Sequence, residues 1–254
     1  MRVYLAALEN GKLVNQQIIS CIYSHPKTIS FLSSYASICQ RCKDSYPSYI
    51  PYFKDFMLDS GAFTFMNSGG SEDWESYIER YADFITRNKI EKYFELDIDS
   101  IVGYDKVKEY RYRLERLVSR PCIPVWHVSR GWSEFVRMCE EYSYVSIGGI
   151  VTKEIPPKKY RYLPKFIREA HRHNAKIHGL GFTNTELLRQ YHFDSVDSTA
   201  WTTGSRYANV YEYRDGRIRE IKVKAGLRLM DYKRLDMSNF LEWLKFQRYA
   251  EVHL

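Results

Sequence analysis

Two carboxylates three residues apart, Asp194 and Asp197, lie in the short apolar segment Phe193-Asp194-Ser195-Val196-Asp197-Ser198, with no lysine or arginine beside them. Carboxylates that no cation neutralises can act as nucleophiles or as general acids and bases. The same pair could instead cap the turn that follows a buried strand. Acids and glycines elsewhere in the chain favour the first interpretation.

Three other apolar segments also end in acids or glycines. They are Leu58-Asp59-Ser60-Gly61-Ala62-Phe63, Glu95-Leu96-Asp97-Ile98-Asp99 and Val145-Ser146-Ile147-Gly148-Gly149-Ile150. A barrel of parallel strands carries its active site at the carboxyl ends of those strands. The sequence therefore predicts one site on that rim, to which His127, His178, Gly179 and Gly181 would also belong as residues at strand ends.

Strands and helices alternate through the chain. Strands are predicted at 3–8, 56–58, 93–96, 123–126, 145–147, 177–180 and 193–196, and helices at 71–85, 104–118, 133–142, 162–173, 186–191 and 239–250. This alternation with short connections predicts an α/β fold, a TIM-type (β/α)8 barrel forming a single domain over residues 1–254. Residues 14–50 are less regular and are interpreted as an insertion between the first two strands, with a helix at 28–35.

A basic segment follows the last predicted strand. Residues 210–223 predict a β-hairpin that turns at Asp215-Gly216. Residues 1–150 carry 18 basic and 19 acidic side chains (−1), whereas residues 151–254 carry 20 and 12 (+8). This asymmetry indicates a polyanionic partner such as nucleic acid, although a solvated basic surface would have the same composition. The cations that we expect to follow phosphates are Arg206, Arg214, Arg217, Arg219, Lys222 and Lys224.

The cysteines and the hydropathy indicate the compartment. Five cysteines, an odd number, favour a reducing environment, and no signal peptide or apolar run of about 20 residues is present. We therefore expect a cytoplasmic protein without a membrane partner. Cys21, His25, Cys39 and Cys42 have the residue types of zinc ligands, but no second C-x2-C pair accompanies them, so zinc binding is left open.

Four segments resemble the tRNA-guanine transglycosylase superfamily. Asp59-Ser60-Gly61-Ala62-Phe63 is similar to its DSG(G/S)F segment, and Leu96-Asp97-Ile98 to the LDIP segment of the archaeal branch. Ser146-Ile147-Gly148-Gly149-Ile150-Val151 resembles A-I-G-G-V-V, and Phe193-Asp194-Ser195 resembles the F-D-S segment that carries the nucleophile. The order and approximate spacing agree over residues 55–200. The resemblance implies a (β/α)8 barrel that exchanges a guanine in a polynucleotide for a 7-deazaguanine base.

Carried over by position, the resemblance implies a role for each matching residue. Asp194 would be the nucleophile at C1′, and Asp59 would shuttle protons to and from the bases. Asp97 would read the N1 and N2 hydrogens of guanine, Gly148 and Gly149 would offer backbone contacts, and Phe63 would stack on the base. Exchange at one anomeric carbon with retention needs two displacements, hence a carboxylate nucleophile and a second acid or base, and no cofactor. Asp197 is the competing nucleophile and Asp99 the alternative to Asp97. Ser60, His127 and Gly181 are further candidates for contact with the base, His127 and His178 being secondary.

Several departures from the family bear on the polymer. No cysteine follows Cys139, so the zinc element after the nucleophile strand is missing, and the chain ends at Leu254 without the RNA-binding domains of archaeal members. The compact relatives in phages and genomic islands modify DNA, which is therefore the expected polymer, with tRNA as the alternative. Trp126, Trp132 and Trp201 could stack on a displaced base, or could pack between barrel and helices. A non-catalytic nucleic-acid-binding barrel, a glycosidase or nucleoside hydrolase, and a homo-oligomer all remain open.

Overall fold

A barrel of eight parallel strands forms the centre of the molecule. The computed structural model describes residues 1–10, 16–42, 45–61, 72–203, 209–221 and 232–254. The barrel strands are β1 (Arg2–Ala6), β2 (Ser30–Ser34), β3 (Asp55–Asp59), β4 (Lys92–Tyr93), β5 (Val125–Trp126), β6 (Tyr144–Ile147), β7 (Lys176–Gly179) and β8 (Ser195–Ser198). Their order is β4-β3-β2-β1-β8-β7-β6-β5, and a parallel bridge between Phe94 and Ile123 joins the two ends. The predicted TIM-type (β/α)8 fold is confirmed.

Helices surround the strands and connect most of them. They are α1 (Gln16–Ser24), α2 (Tyr35–Arg41), α3 (Trp74–Arg87), α4 (Asp99–Val102), α5 (Tyr104–Val118), α6 (Gly131–Glu141), α7 (Leu163–Arg172), α8 (Thr185–Leu188) and α9 (Tyr232–His253). Local sequence explains two helix starts: Asp73 caps α3 by accepting from the Ser76 amide, and Asn184 caps α8 by accepting from the Leu187 amide. None of the described helices is long and apolar enough to cross a membrane.

The two faces of each strand enter different cores. In β1, Val3 and Leu5 pack outward in the large core between the strands and helices, whereas Tyr4 and Ala6 pack inward with Met57 and other interior residues. Side chains alternate between the two faces of a strand, so one short apolar run supplies both cores. The barrel is therefore filled, and the site can only form at its ends.

The helix predicted at 28–35 is wrong, because Ser30–Ser34 is strand β2. It pairs with β1 on one side and with β3 on the other, so the segment interpreted as an insertion contains a complete barrel strand. The strand is difficult to recognise in the sequence because three of its five residues are serines, although all but the last residue are buried. The neighbouring strands, rather than local propensity, determine this conformation.

The predicted hairpin is also present, as β9 (Val210–Arg214) and β10 (Arg217–Ile221), with Asp215 and Gly216 both at positive φ in the turn. It packs along α9. The Tyr211 amide donates to Asn239, and the turn reaches the ring of Tyr249 near the other end of that helix. That end of α9 lies beside the start of β1, since the Met1 amine donates to the Ala250 carbonyl, so the turn points towards the amino-terminal end of the barrel.

Candidate active site

A cavity of about 250 Å³ opens at the carboxyl-terminal end of the barrel. All eight strand ends bring polar groups or close-approaching backbone to its wall. Its polar and glycine lining comprises Glu9, Ser34, Ser37, Asp59, Gly61, Asp97, His127, Gly149, Thr152, Gly181, Asp197 and Thr199. No lysine or arginine is among the described residues of the lining. The carboxylates therefore lie close together with no described lysine or arginine to neutralise them.

Asp59 ends β3 and faces this group of acids. Burial and the neighbouring charge of Asp97 raise the pKa of Asp59 to about 8, with smaller contributions in the same direction from Asp197 and Glu9. One hydrogen bond opposes the shift, because the Gly61 amide donates to Asp59 Oδ2 at 3.0 Å. Asp59 is consequently protonated at neutral pH and can act as a general acid.

Asp97 follows β4 and is paired with a histidine. The distance from Asp97 Oδ2 to His127 Nε2 is 3.2 Å, and His127 Nδ1 lies 3.6 Å from a carboxylate oxygen of Glu154. Burial lowers the pKa of His127, but the hydrogen bond and charge of Asp97 outweigh it, so the pKa is raised overall. The pair gives Asp97 a fixed orientation at the cavity wall.

Asp197 lies within β8 and lines the same cavity. Its Oδ1 accepts a hydrogen bond from the Gly181 amide at 2.6 Å and lies 3.2 Å from Nε2 of the fully buried His178. Among the described residues, none donates a hydrogen bond to Oδ2. One carboxylate oxygen is thus held in place and the other is left for chemistry.

A hydrogen-bond chain continues from His178 through the barrel interior. His178 Nδ1 lies 2.5 Å from Ser195 Oγ, which lies 2.5 Å from Tyr144 Oη. When His178 donates from Nε2 to Asp197, its Nδ1 can accept from the Ser195 hydroxyl, and Ser195 can in turn accept from Tyr144. The chain thus connects Tyr144 to the carboxylate of Asp197 through the barrel interior.

The expected position of Asp194 on the rim is wrong. Asp194 precedes β8, and its backbone carbonyl accepts from the Arg2 amide at the start of β1. Its carboxylate accepts from the Ile177 amide at 2.8 Å and pairs with His171 at 2.9 Å. It lines a separate cavity at the amino-terminal end of the barrel, so it cannot meet the groups around Asp59. Three residues of strand, about 10 Å, separate it from Asp197.

Glycines allow the backbone to approach at three positions of the rim. Gly61 and Gly181 have φ of 87° and 72°, and a Cβ at either would overlap a neighbouring side chain, Ala36 or Val151. Gly149, at φ 79°, lines the cavity beside Glu154. These three glycines, which the sequence placed at the rim, therefore form the turns that position the acids.

Two other sequence candidates lie behind the cavity wall. The Gly148 amide already donates to the Trp126 carbonyl at 2.9 Å, and a Cβ at Gly148 would contact the His127 ring at 2.8 Å. Ser60 is fully buried, and its carbonyl accepts from Tyr77 Oη. Neither is among the residues that line the cavity.

A buried ion-pair network supports the loop of Asp97. Glu95, fully buried, pairs with Arg111 at 2.6 Å and with Arg130 at 2.7 Å, while Arg130 also binds both oxygens of Asp99. Asp99 therefore has a structural role as the partner of Arg130. Asp97 is the acid of this segment that lines the cavity. Bidentate pairing of this kind restricts both partners strongly.

The three tryptophans pack between the barrel and its helices. Trp126 and Trp201 are buried, and their indole nitrogens donate to the carbonyls of Gly131 and Ala6. Trp132 packs on Phe135 and Phe166. The structure therefore assigns all three to packing, and the expectation that one of them stacks on a base is not supported.

The basic hairpin lies beside α9. Arg214 and Arg217 flank its turn, and Arg217 pairs with Glu186 at 2.8 Å. Because that turn points away from the cavity, these arginines lie on the flank of the barrel. Arg219 is exposed in β10. Phe63, Arg206, Lys222 and Lys224 lie outside the described residues.

The candidate zinc ligands stay separate in the part of the chain that the structure describes. Cys21 and His25 line a shallow surface pocket against α9, while Cys39 lines a different one beside Tyr35. No group of three histidine, cysteine or acidic side chains arranged to hold a metal ion occurs among those residues.

Sequence reasoning missed Glu9. It follows β1 in a short 3-10 helix, is 2% exposed and lines the cavity. The available signal was an acid just after a predicted strand, the same criterion that selected Asp59. His178 was expected on the rim, and instead it lies inside the barrel, beneath Asp197.

No protein-family model and no curated protein matches this chain. Among solved structures, the chain is similar to the carboxyl transferase domain of Rhizobium etli pyruvate carboxylase, determined with pyruvate. The two are 13% identical with a TM-score of 0.48, and the match covers 98% of this chain and 48% of that one. The chain therefore spans about half the length of that structure.

Proposed function

We propose that this protein is a guanine transglycosylase that replaces guanine in a nucleic acid with a 7-deazaguanine base. The observation that carries the proposal is the convergence of Asp59, Asp97 and Asp197 on one cavity whose described lining contains no lysine or arginine. The cavity has the volume of about eight waters, which suits a single heterocycle. Retaining exchange requires a carboxylate nucleophile and a second acid or base, and the site supplies both.

The proposed reaction has two displacements. Asp197 Oδ2 attacks C1′ of the target nucleotide, the C1′–N bond breaks, and protonated Asp59 gives its proton to the departing guanine. The incoming base then loses a proton to Asp59, its ring nitrogen attacks C1′, and the bond to Asp197 breaks. Asp197 replaces Asp194 as the proposed nucleophile because Asp194 lies at the other end of the barrel.

Asp97 is suited to binding the base. Its carboxylate, oriented by His127, can accept from the N1 and N2 hydrogens of guanine. A guanine inside a duplex would first have to leave its stack, at a cost of a few kcal/mol that is lowest for an unpaired base. The polymer we propose is DNA, supported by the resemblance to the compact members of the superfamily.

The proposal is tested by incubating the protein with labelled guanine and either single-stranded DNA, duplex DNA or bulk tRNA at one salt concentration. We expect label to enter DNA, fastest in single strands, and a denaturation-resistant protein–DNA adduct that Asp197→Asn does not form. Faster labelling of tRNA would contradict the choice of DNA. Release of free guanine without incorporation would show a hydrolase, and neither release nor incorporation would leave a binding protein.

A further inference from the structure

Glu9 is held at the mouth of the barrel by an unusual turn. β1 ends at Ala6, and Ala7 then adopts a left-handed conformation at φ 71°, which turns the chain into the 3-10 helix Leu8–Asn10. Non-glycine residues adopt this conformation at a cost, and such strain is concentrated at functional sites. The turn returns Glu9 to the cavity wall, between the strands that carry Asp197 and Asp59.

The two oxygens of the Glu9 carboxyl differ. Oε1 accepts a hydrogen bond from the Ser34 amide at 2.9 Å. Oε2 is also buried and receives no hydrogen bond of regular geometry from the described residues, although the Ser33 hydroxyl lies close enough to stabilise the carboxylate. Buried polar atoms in native proteins are generally paired, and an exception requires an explanation. Glu9 lines the cavity, and a small rotation of its carboxyl would bring Oε2 to a ligand there, which would supply the missing partner.

The surroundings of Glu9 favour its neutral form. Burial raises the pKa of Glu9, although the Ser34 amide, the Ser33 hydroxyl and the charge of Arg41 act against the shift. Three more titratable groups face it: Asp59, Cys42 and Tyr46, each of whose pKa values the charge of Glu9 helps to raise. Because Oε1 accepts from an amide, the proton belongs on Oε2.

We propose that Glu9 is a base-binding residue, whose Oε2–H donates a hydrogen bond to an acceptor atom, a ring nitrogen or carbonyl oxygen, of the heterocycle in the cavity. The identity of the ligand as a purine-like base rests on the proposed function, whereas the existence of the contact rests on the unpaired oxygen. Glu9 would complement Asp97, since one residue donates and the other accepts. A base then fits only if an acceptor atom faces Glu9 and its N–H donors face Asp97.

The test compares Glu9→Gln with Glu9→Met by equilibrium binding of free guanine and 7-deazaguanine in the absence of nucleic acid. Glutamine keeps a donor on one atom and the acceptor for Ser34 on the other, so it should bind within about threefold of wild type. Methionine has similar length but no donor, and should bind roughly tenfold more weakly or worse. Glu186→Met, the same change at an exposed residue of α8, should bind like wild type.

A second arm separates hydrogen bonding from a structural effect of the substitution. In an Asp59→Asn background, which removes the other cavity carboxyl with a raised pKa and leaves His127 common to both proteins, binding should weaken as the pH rises through the pKa of Glu9. Adding Glu9→Gln should remove that dependence, which a packing role would not do. Wild-type affinity in Glu9→Met, or equal losses in both Glu9 variants, would overturn the proposal, as would a wild-type protein that binds neither base. Base binding without exchange would refute only the proposed function.

Discussion

Acidic residues have different surroundings at the two ends of the barrel. At the amino-terminal end, Asp55 pairs with Arg2 and Lys92, and Asp194 pairs with His171. At the carboxyl-terminal end, no lysine or arginine among the described residues lines the cavity where Asp59, Asp97, Asp197 and Glu9 meet. Asp55, with its arginine and lysine partners, stabilises the fold, whereas burial raises the pKa values of Asp59 and Glu9, which suits them to acid–base chemistry.

This comparison predicts opposite results for two aspartates three residues apart. Asp197→Asn should lower base exchange by at least about 10³-fold, because the nucleophile is lost. Asp194→Asn should keep exchange within about tenfold, and its effect should appear in thermal stability through the lost partners Ile177 and His171. Exchange rates and melting temperatures of both variants decide the question. A loss of exchange in Asp194→Asn with an unchanged fold would return the nucleophile to that residue.

The two ends should also differ in stability against pH. The pKa of Asp59 is raised to about 8 from an unfolded value near 3.9, so its contribution to the free energy of unfolding is fully present below about pH 4 and is lost as the pH rises to about 8. The slope would be at most about 1.4 kcal/mol per pH unit. Asp59→Asn should flatten this slope and unfold less readily than wild type at pH 7, while losing exchange.

Asp55→Asn is the matched change at the other end. It should lower the free energy of unfolding by about 1–3 kcal/mol, because it weakens a carboxylate that pairs with Arg2 and Lys92 and accepts from Tyr4 at 2.9 Å. Denaturant unfolding of both variants between pH 5 and pH 9 measures the difference. If Asp59→Asn destabilised the protein as Asp55→Asn does, the carboxyl-terminal acids would be structural too.

The smallest expected effect concerns the turn that places Glu9. Ala7→Gly should raise the free energy of unfolding by about 0.5–1 kcal/mol, because glycine adopts φ 71° without strain. The gain would be limited by the greater conformational freedom of glycine in the unfolded chain. Chemical denaturation detects a change of this size, and destabilisation would mean that the Ala7 methyl contributes packing that exceeds its strain.

Local sequence was enough for much of the architecture. The alternation of strands and helices predicted α5 at about its observed bounds, Tyr104–Val118, and Asp215-Gly216 predicted the hairpin turn. The acids and glycines that follow β3, β4 and β6 identified one end of a parallel barrel, because parallel strands point their carboxyl ends the same way. These features depend on neighbours in the chain, so a single sequence contains them.

Only the tertiary structure shows which end of the barrel each residue of a strand reaches. The segment Phe193–Ser198 carries two acids, and only its pairing with β1 and β7 shows that Asp194 meets the amino-terminal end and Asp197 the carboxyl-terminal end. β2 is recognisable only between β1 and β3, because serines interrupt its apolar pattern. Glu9 and His178 gain their roles from residues distant in the chain, Ser34 and Asp197. Burial and the charge of these neighbours, which shift a carboxyl pKa, exist only once the barrel has closed.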